Sequence, residues 1–329
     1  MKGSGRQFVE KLGVLAGLFA AFGGLTPARA AGYDPDADRA ALRGAANACY
    51  DETVRATGLA LTAEKAPEIK TGLDEAVRQC RLAAEAAKSL ETAGTLRAAE
   101  MAAVAAGRGG PAPDAEAKDF AAAAAAQRAR RTRDGSAQDE LARRVDALPD
   151  KKDDGKPNAA KRELKELLAS AAAALDAADG ALSKAEAAAP AMADGASRLK
   201  AAGAASRAPA EERSRYDAQV VAGADAFPAA VDEAKKRVDM LGSEPVQENR
   251  TRAWQKLEPL RDAARDVAAA ADRACNRADD FHSRSKEFDR GRAAFEAARG
   301  AGAGTPAAAK ASLDEAERLQ ATLQDRLRP

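Results

Sequence analysis

The stretch IKTGLDEAVRQCRLAAEAAKSLETAGTLRAAEMAAV, residues 69–104, repeats small or apolar residues at alternating steps of three and four. This spacing places them on one face of a helix, where they form a seam against a second helix. Its members are Ile69, Leu73, Ala76, Cys80, Ala83, Ala87, Leu90, Gly94, Arg97, Met101 and Val104. The stretch therefore predicts a long helix that packs closely along its length, with Arg97 as the one charged seam position.

A second seam follows the same spacing from Leu257 onward. Phe281, Phe288 and Phe295 recur on it every seven residues, so they lie on one helix face. Two interpretations are open for these rings. They form a bundle core, or they are an interaction stripe for a partner helix or an apolar ligand.

Alanine makes up about 28 % of the chain, whereas large apolar residues are scarce. Alanine is the best helix former, and its small side chain lets two helix backbones approach closely. Charged residues, 31 % of the chain, are available to cover exposed helix faces. We therefore expect an all-α protein built of elongated antiparallel helical hairpins or a coiled-coil-like bundle.

Glycine and proline mark the expected helix ends. We expect helices to end before Gly58, at Gly135 and at Pro190, because glycine weakens a helix interior and proline removes a backbone donor. After Pro190, shorter helices are expected, separated by Pro209, Pro228 and Pro245. Asn158 is the expected N-terminal cap of the helix that begins after it.

One polar segment is the expected domain boundary. PDKKDDGKPN, residues 149–158, lacks the large apolar side chains that would bury it, and its composition is typical of a linker. It separates an N-terminal helical hairpin region, residues 31–148, from a C-terminal helical bundle or coiled-coil region, residues 159–329.

Residues 1–30 have the composition of a secretory signal peptide. Basic residues precede the apolar run LGVLAGLFAAFGGL, and Ala28 and Ala30 stand in the A-x-A pattern before a cut. The run is shorter than the ~20 residues that cross a bilayer, which favours cleavage over an uncleaved anchor. We expect an exported chain, periplasmic or extracellular, that begins at Ala31 and keeps no stable membrane span.

Cys49 and Cys80 lie on either side of a turn that is expected between Gly58 and Pro67. In an antiparallel hairpin, facing residues have position numbers with a constant sum, so pairing the cysteines fixes the other contacts. These contacts are Leu42 with Ala87, Ala46 with Ala83, Thr53 with Ala76 and Ala56 with Leu73. Since exported chains keep their disulfides, we predict a Cys49–Cys80 bond that stabilises the hairpin by about 3 kcal/mol. Two buried free thiols are the alternative.

The third cysteine, Cys275, has no partner in this pairing. It lies beside Ala274, at the edge of the second seam. An odd cysteine in an exported protein is either a buried free thiol or an intermolecular cross-link between two copies. The buried free thiol is the favoured interpretation.

The charge balance argues against nucleic acid as a partner. The chain has 52 basic and 51 acidic residues, and residues 1–30 hold four of the first and one of the second, which leaves a net charge of −2 after cleavage. Such a chain has no field to attract nucleic acid or an anionic membrane. The basic cluster QRARRTR at 127–133 is expected to close a helix and complement the negative end of its dipole.

Two candidate metal sites lack essential ligands. Residues 34–38, DPDAD, alternate carboxylates as a calcium loop does, but Arg39 and Ala45 stand where that loop needs glycine and glutamate. His282 shares a helix face with Asp279, but the chain has no second histidine, and a strong site needs three or four ligands. We therefore expect no metal, no cofactor and no catalytic residues.

These features favour an exported, non-enzymatic helical protein that acts as an envelope scaffold, a spacer or a protein-interaction adaptor. Its partner would be another protein or a second copy, bound through helical seams. The alternative is a helical-bundle binding module for an apolar or cationic small ligand, with Trp254 and the stripe of Phe281, Phe288 and Phe295 as its lining.

The cysteine pairing makes a direct prediction for the purified protein. A non-reducing peptide map should join the peptide of Cys49 to that of Cys80, because the seam register brings these two side chains together. The same map should find Cys275 as a free thiol. A peptide that joins Cys49 to Cys275, or a free Cys49, contradicts the register.

Overall fold

The computed structural model describes residues 35–62, 66–108, 110–151, 157–241 and 254–328, and these residues form seven α-helices. No strand is present among them, so the all-α prediction is confirmed. The predicted signal peptide lies outside the described residues. The helices are α1 (Asp36–Thr62), α2 (Ala66–Ala105), α3 (Pro113–Asp146), α4 (Ala159–Ala205), α5 (Arg207–Leu241), α6 (Glu258–Gly302) and α7 (Thr305–Arg326).

The described chain divides into two compact units that are discontinuous in sequence. The first unit contains residues up to Gly94 and residues 213–282, and the second contains residues 95–212 and the remainder from Ser283. Helix α1 belongs wholly to the first unit, and α3, α4 and α7 belong wholly to the second. The polar segment 149–158 falls within the range of the second unit, and the domain boundary expected there stays a prediction.

The first unit is an arrangement of four helices in which each runs antiparallel to two neighbours. α1 lies against α2 and α6, and α5 lies against the same two helices. The directions follow from paired contacts whose residue numbers rise on one helix and fall on the other. These pairs are Arg39 with Asp279 and Arg43 with Asp272, Lys70 with Asp239 and Glu91 with Ser214, and Tyr216 with Arg273 and Gly223 with Val267.

The predicted α1–α2 register is present in this unit. Cys49 and Cys80 form a disulfide, with their Cα atoms 5.0 Å apart. The position of a Cβ on Gly72 would lie 2.8 Å from the Cβ of Ala56, one residue from the predicted contact with Leu73. All ten residues of the five predicted pairs are fully buried. The small-residue seam therefore brings the two helix backbones close together.

In the second unit, α3 and α7 run side by side and both are antiparallel to α4. Arg128 of α3 contacts Asp179 and Glu186 of α4, and Lys200, near the end of α4, contacts Asp114 at the start of α3. Leucines and alanines of the three helices fill the interior. The main buried side chains are Leu141, Val145, Leu164, Leu175, Ala178, Leu313, Ala316 and Leu323.

Four expected helix breaks are absent from the structure. Gly58 lies inside α1, Gly135 inside α3, and Pro190 and Pro228 inside α4 and α5. An interior glycine costs about 1 kcal/mol, and an interior proline about 3 kcal/mol. Buried side chains on both sides outweigh these costs; Ala188 and Met192, for example, flank Pro190 and are both buried. Local breaking signals were therefore the wrong guide to helix ends.

The prediction that the basic cluster at 127–133 closes a helix is also wrong. It lies in the interior of α3, which continues to Asp146, so it does not complement a helix end. Its arginines instead bridge to neighbouring helices of the second unit. The guanidinium of Arg130 contacts Asp314 and Glu317 of α7 at 2.6 and 2.7 Å, and Arg131 contacts Asp179 of α4 at 2.7 Å.

The connection from α3 to α4 is tied by polar side chains. The side chain of Asn158 accepts a hydrogen bond from the backbone N–H of Lys161, which confirms Asn158 as the helix cap. The Nζ of Lys161 donates to the carbonyl oxygens of Asp146 and Leu148, at 3.0 and 2.6 Å, and to the carboxylate of Asp150. The last carbonyls of α3 are thereby satisfied.

Two glycines of α4 give a matched test of the packing. A Cβ at position 195 would lie 2.9 Å from the backbone nitrogen and Cα of Phe295, whereas one at position 180 meets nothing within 4 Å. Gly195→Ala should therefore lower the free energy of unfolding by about 1–3 kcal/mol. Gly180→Ala should raise it by about 1 kcal/mol, because only the helix propensity changes.

Urea unfolding followed by circular dichroism measures both effects. If Gly195→Ala stabilises the protein as much as Gly180→Ala, then the backbones of α4 and α6 are not in close contact at Phe295.

Candidate functional site

The aromatic rings predicted as an interaction stripe are buried inside the chain. Phe281 lies in the core of the first unit, and Phe288 and Phe295 lie in the core of the second. They are therefore not an exposed surface, and of the two interpretations the structure shows bundle core. Arginines of other helices lie over two of these rings, those of Phe281 and Phe288.

The first of these arginines, Arg213, is fully buried near the start of α5. Its Nε donates to the carboxylate of Asp217 at 3.2 Å, and its Nη2 donates to the backbone carbonyl of Glu91 on α2 at 2.9 Å. The guanidinium carbon lies 5.5 Å from the centre of the Phe281 ring. This geometry combines a buried ion pair with a cation–π contact.

The arginine fits at this place because α2 has a glycine opposite it. A Cβ on Gly94 would lie 1.6 Å from Nη1 of Arg213, so no other residue leaves room for the guanidinium. On the same turn of α5, the hydroxyl of Ser214 donates to the carboxylate of Glu91 at 2.6 Å. Two consecutive side chains of α5 thus hold one turn of α2.

Asp217 is the most perturbed carboxylic acid of this cluster. Burial raises its pKa to about 6, against the positive charge of Arg213, which favours the carboxylate. The negative charge of Glu91 adds to the effect of burial. One carboxylate oxygen of Asp217, Oδ1, is buried without a hydrogen bond. Ionisation of the buried Asp217 therefore costs free energy. Its ion pair with Arg213 offsets part of that cost.

A second buried arginine, Arg97, occupies the corresponding position in the core of the second unit. Its guanidinium donates to the hydroxyl of Ser285 at 2.8 Å, to Glu100 at 2.7 Å and to Asp289. It also lies 5.5 Å from the ring centre of Phe288. Burial opposes its charge, but the hydrogen bonds that it donates to Asp289 and Glu100 outweigh burial and raise the pKa of Arg97.

Other aromatic side chains are also covered by arginines of the chain. The guanidinium of Arg261 lies 3.9 Å from the ring centre of Trp254, and that of Arg273 lies 5.4 Å from Tyr216. Cation–π contacts of this kind are the geometry that recognises a cationic ligand. Here the cations belong to the protein itself.

The remaining predicted site residues lie elsewhere. Cys275 is a buried free thiol whose sulfur lies 3.6 Å from the backbone carbonyl of Arg39, and burial raises its pKa. Asp279, the expected neighbour of His282, forms an ion pair with Arg39. No group of three or more potential metal ligands occurs in the described part of the chain.

The described residues line at least two open grooves on the surface. One, of about 470 Å³ in the second unit, is lined mostly by alanines of α3 and α4, together with Arg128 and Glu186. The other, of about 290 Å³ in the first unit, lies between α2 and α5 and is lined by charged side chains, including Asp74 and Lys235, which pair with each other. In the first groove, Arg128 and Glu186 also form an ion pair with each other.

Comparison of the chain with protein-family models, with curated proteins and with solved structures gives no match. Sequence reasoning singled out Arg97 but missed Arg213 and Asp217. The signal was present, because the seam of α5 continues back through these two positions at steps of three and four. Its members are Arg213, Asp217, Val220, Ala224, Phe227, Val231, Ala234 and Val238.

Asp217 makes a prediction about pH. Between pH 4 and pH 6 the folded chain keeps the proton on Asp217, whereas the unfolded chain has lost it, so this group makes the protein less stable as the pH rises. From its pKa of about 6, the change amounts to up to about 3 kcal/mol. Asp217→Asn should remove this part of the pH dependence.

The measurement is urea unfolding of both proteins from pH 4 to pH 7, and the difference between them isolates Asp217 from the other carboxylates. Asp225→Asn, an exposed carboxylate on the same helix, is the control and should follow the wild type. A constant offset between wild type and Asp217→Asn over this range contradicts the prediction.

Proposed function

We propose that this chain is an exported, non-enzymatic helical protein that acts as an envelope scaffold, a spacer or a protein-interaction adaptor. Two features support export: the signal-peptide composition of residues 1–30 and the Cys49–Cys80 disulfide, a bond typical of oxidising compartments. The proposed location is the periplasm or the extracellular medium. No helix in the described ranges is both long enough and apolar enough to cross a membrane.

The observation that carries the proposal is that the interior is occupied by the chain's own side chains. Phe281 and Phe288 have arginines on their faces, and Phe295 is buried with its backbone close to Gly195 of α4. A small ligand in the bundle would have to displace Arg97 or Arg213, and each of these has at least two hydrogen-bond partners. This favours the scaffold or adaptor over the binding module.

The outer helix faces are the surfaces that remain for a partner. Helix α4 has 47 residues, so its axis is about 70 Å long. Three large apolar side chains are exposed on α1 and α2: Val54, Leu82 and Leu96, the last at 57 %. Long helical faces of mixed charge with isolated apolar residues suit binding to another protein or to a second copy through helix–helix contact.

The test is in-cell photocrosslinking of the full-length chain. A photoreactive phenylalanine analogue at Leu96 should give adducts with protein, whether a partner or a second copy, because this side chain is exposed and apolar. The same analogue at Lys310, an exposed position of α7, is the matched control for chance encounters. N-terminal sequencing of the exported protein should begin at Ala31.

Two results would favour the binding module over the scaffold or adaptor. The first is the absence of protein adducts at both positions. The second is a melting temperature that rises when an apolar or cationic small molecule is added to the purified protein.

A further inference from the structure

Helix α1 has few large, fully buried apolar side chains for a helix of its length. Leu42 is its one large apolar side chain that is fully buried among those described; its other buried positions are alanine, cysteine and threonine. Both buried threonines, Thr53 and Thr57, donate their hydroxyls to carbonyls of α1 itself, so they bind no other helix. Tyr50 and Leu59 pack against the core while only partly buried, so much of the close packing of α1 is made by small side chains.

The backbone of α1 is also weak. It contains Gly44 and Gly58, and a Cβ at either position would meet nothing within 4 Å. Packing does not require glycine there, and alanine, the commonest residue of the chain, would make a more stable helix. The ion pairs that join α1 to α6, Arg39 with Asp279 and Arg43 with Asp272, have exposed carboxylates and contribute little.

The disulfide is the strongest link between α1 and the rest of its unit. It joins the middle of α1 to α2 at Cys80. Beneath the N-terminal half of the helix lies the third cysteine: the sulfur of Cys275 faces the carbonyl of Arg39, in a cluster with Leu42 and Ala46. Burial by α1 and α6 raises the pKa of this thiol, which keeps it unreactive.

We propose that the Cys49–Cys80 disulfide is a redox latch that holds α1 over Cys275, so that its reduction releases α1 and makes the Cys275 thiol reactive. This goes beyond the proposed scaffold function and does not depend on it. The device turns a buried, inert thiol into one that is open to alkylation or disulfide exchange. A thiol reductant starts the change. Its result is that Cys275 becomes accessible in addition to the two new thiols of Cys49 and Cys80.

The chemistry is a thiol–disulfide exchange with a dithiol. A thiolate of the dithiol attacks one sulfur of the Cys49–Cys80 bond, forms a mixed disulfide and displaces the other cysteine as a thiolate. The second thiol of the reductant then resolves the mixed disulfide. Two electrons and two protons pass to Cys49 and Cys80, and the dithiol leaves as its own disulfide.

The decisive experiment is the rate at which N-ethylmaleimide labels Cys275 in native buffer. The double variant Cys49→Ser/Cys80→Ser removes the latch without a reductant. It should label about a hundredfold faster than the oxidised wild type, the fold-change equivalent to the chain entropy that the crosslink removes. Wild-type protein treated with dithiothreitol should show the same increase once mass spectrometry shows the disulfide reduced.

A cysteine placed elsewhere in the core of the first unit, here called the sentinel, distinguishes release of α1 from unfolding of the whole unit. Val231 is buried on α5 and lines the groove against α2. Val231→Cys with Cys275→Ser, in the same latch-free background, should stay slow to label. If the sentinel reacts as fast as Cys275, the whole unit unfolds and the latch proposal is wrong.

The two glycines provide a second readout. Gly44→Ala with Gly58→Ala, added to the latch-free variant, should slow the labelling of Cys275 by about tenfold, because both changes strengthen α1 alone. The proposal is also overturned if Cys275 in the latch-free variant reacts no faster than in the oxidised wild type.

Discussion

Close approach of helix backbones at small residues is the constraint on which the rest of this structure depends. In the first unit, a Cβ on Gly72 would lie 2.8 Å from that of Ala56; in the second, one on Gly195 would lie 2.9 Å from the backbone of Phe295. A seam of this kind buries little apolar area at each position, since an alanine side chain is a single methyl group. Stability must therefore accumulate over many positions, which explains why five of the seven described helices have 34 to 47 residues.

An alanine seam also carries little information about register. Sliding one alanine-rich helix along another by a heptad exchanges alanine for alanine, so many alignments have similar packing. Buried polar groups remove this ambiguity, because they need specific partners. Arg213 fits only where α2 has Gly94, and Gln320 of α7 donates to the carbonyl of Asp134 and to the side chain of Gln138 in α3. We infer that these groups select one alignment, whatever they contribute to stability.

The seams, the helical class and the disulfide could be predicted from the sequence because each depends on a repeating pattern. The steps of three and four around Cys80 identify the buried face of α2 whatever partner covers it. Helix ends were predicted less well. Gly135 and Pro190 are local signals with a cost of about 1 to 3 kcal/mol, and burial on both sides outweighs them.

The candidate site was only partly visible in the sequence. Arg97 was recognised as a charge in a seam, but its partners Ser285 and Asp289 lie nearly two hundred residues away in sequence. Arg213 and Asp217 lie on a seam that the prolines at 209 and 228 appeared to interrupt. Which arginine covers which ring depends on how distant helices pair, and a single sequence does not contain that information in any local pattern.

This distinction between packing and register explains the position of the disulfide. The buried polar side chains of α1, Thr53 and Thr57, bind carbonyls of their own helix and so place no condition on α2 or α6. Tyr50 hydrogen-bonds to Arg265, and the ion pairs of Arg39 and Arg43 join α1 to α6, but alignment with α2 needs a specific link of its own. Cys49 and Cys80 supply that alignment covalently. The alignment of α1 with α2, unlike that of α5 with α2, therefore depends on the redox state of its surroundings.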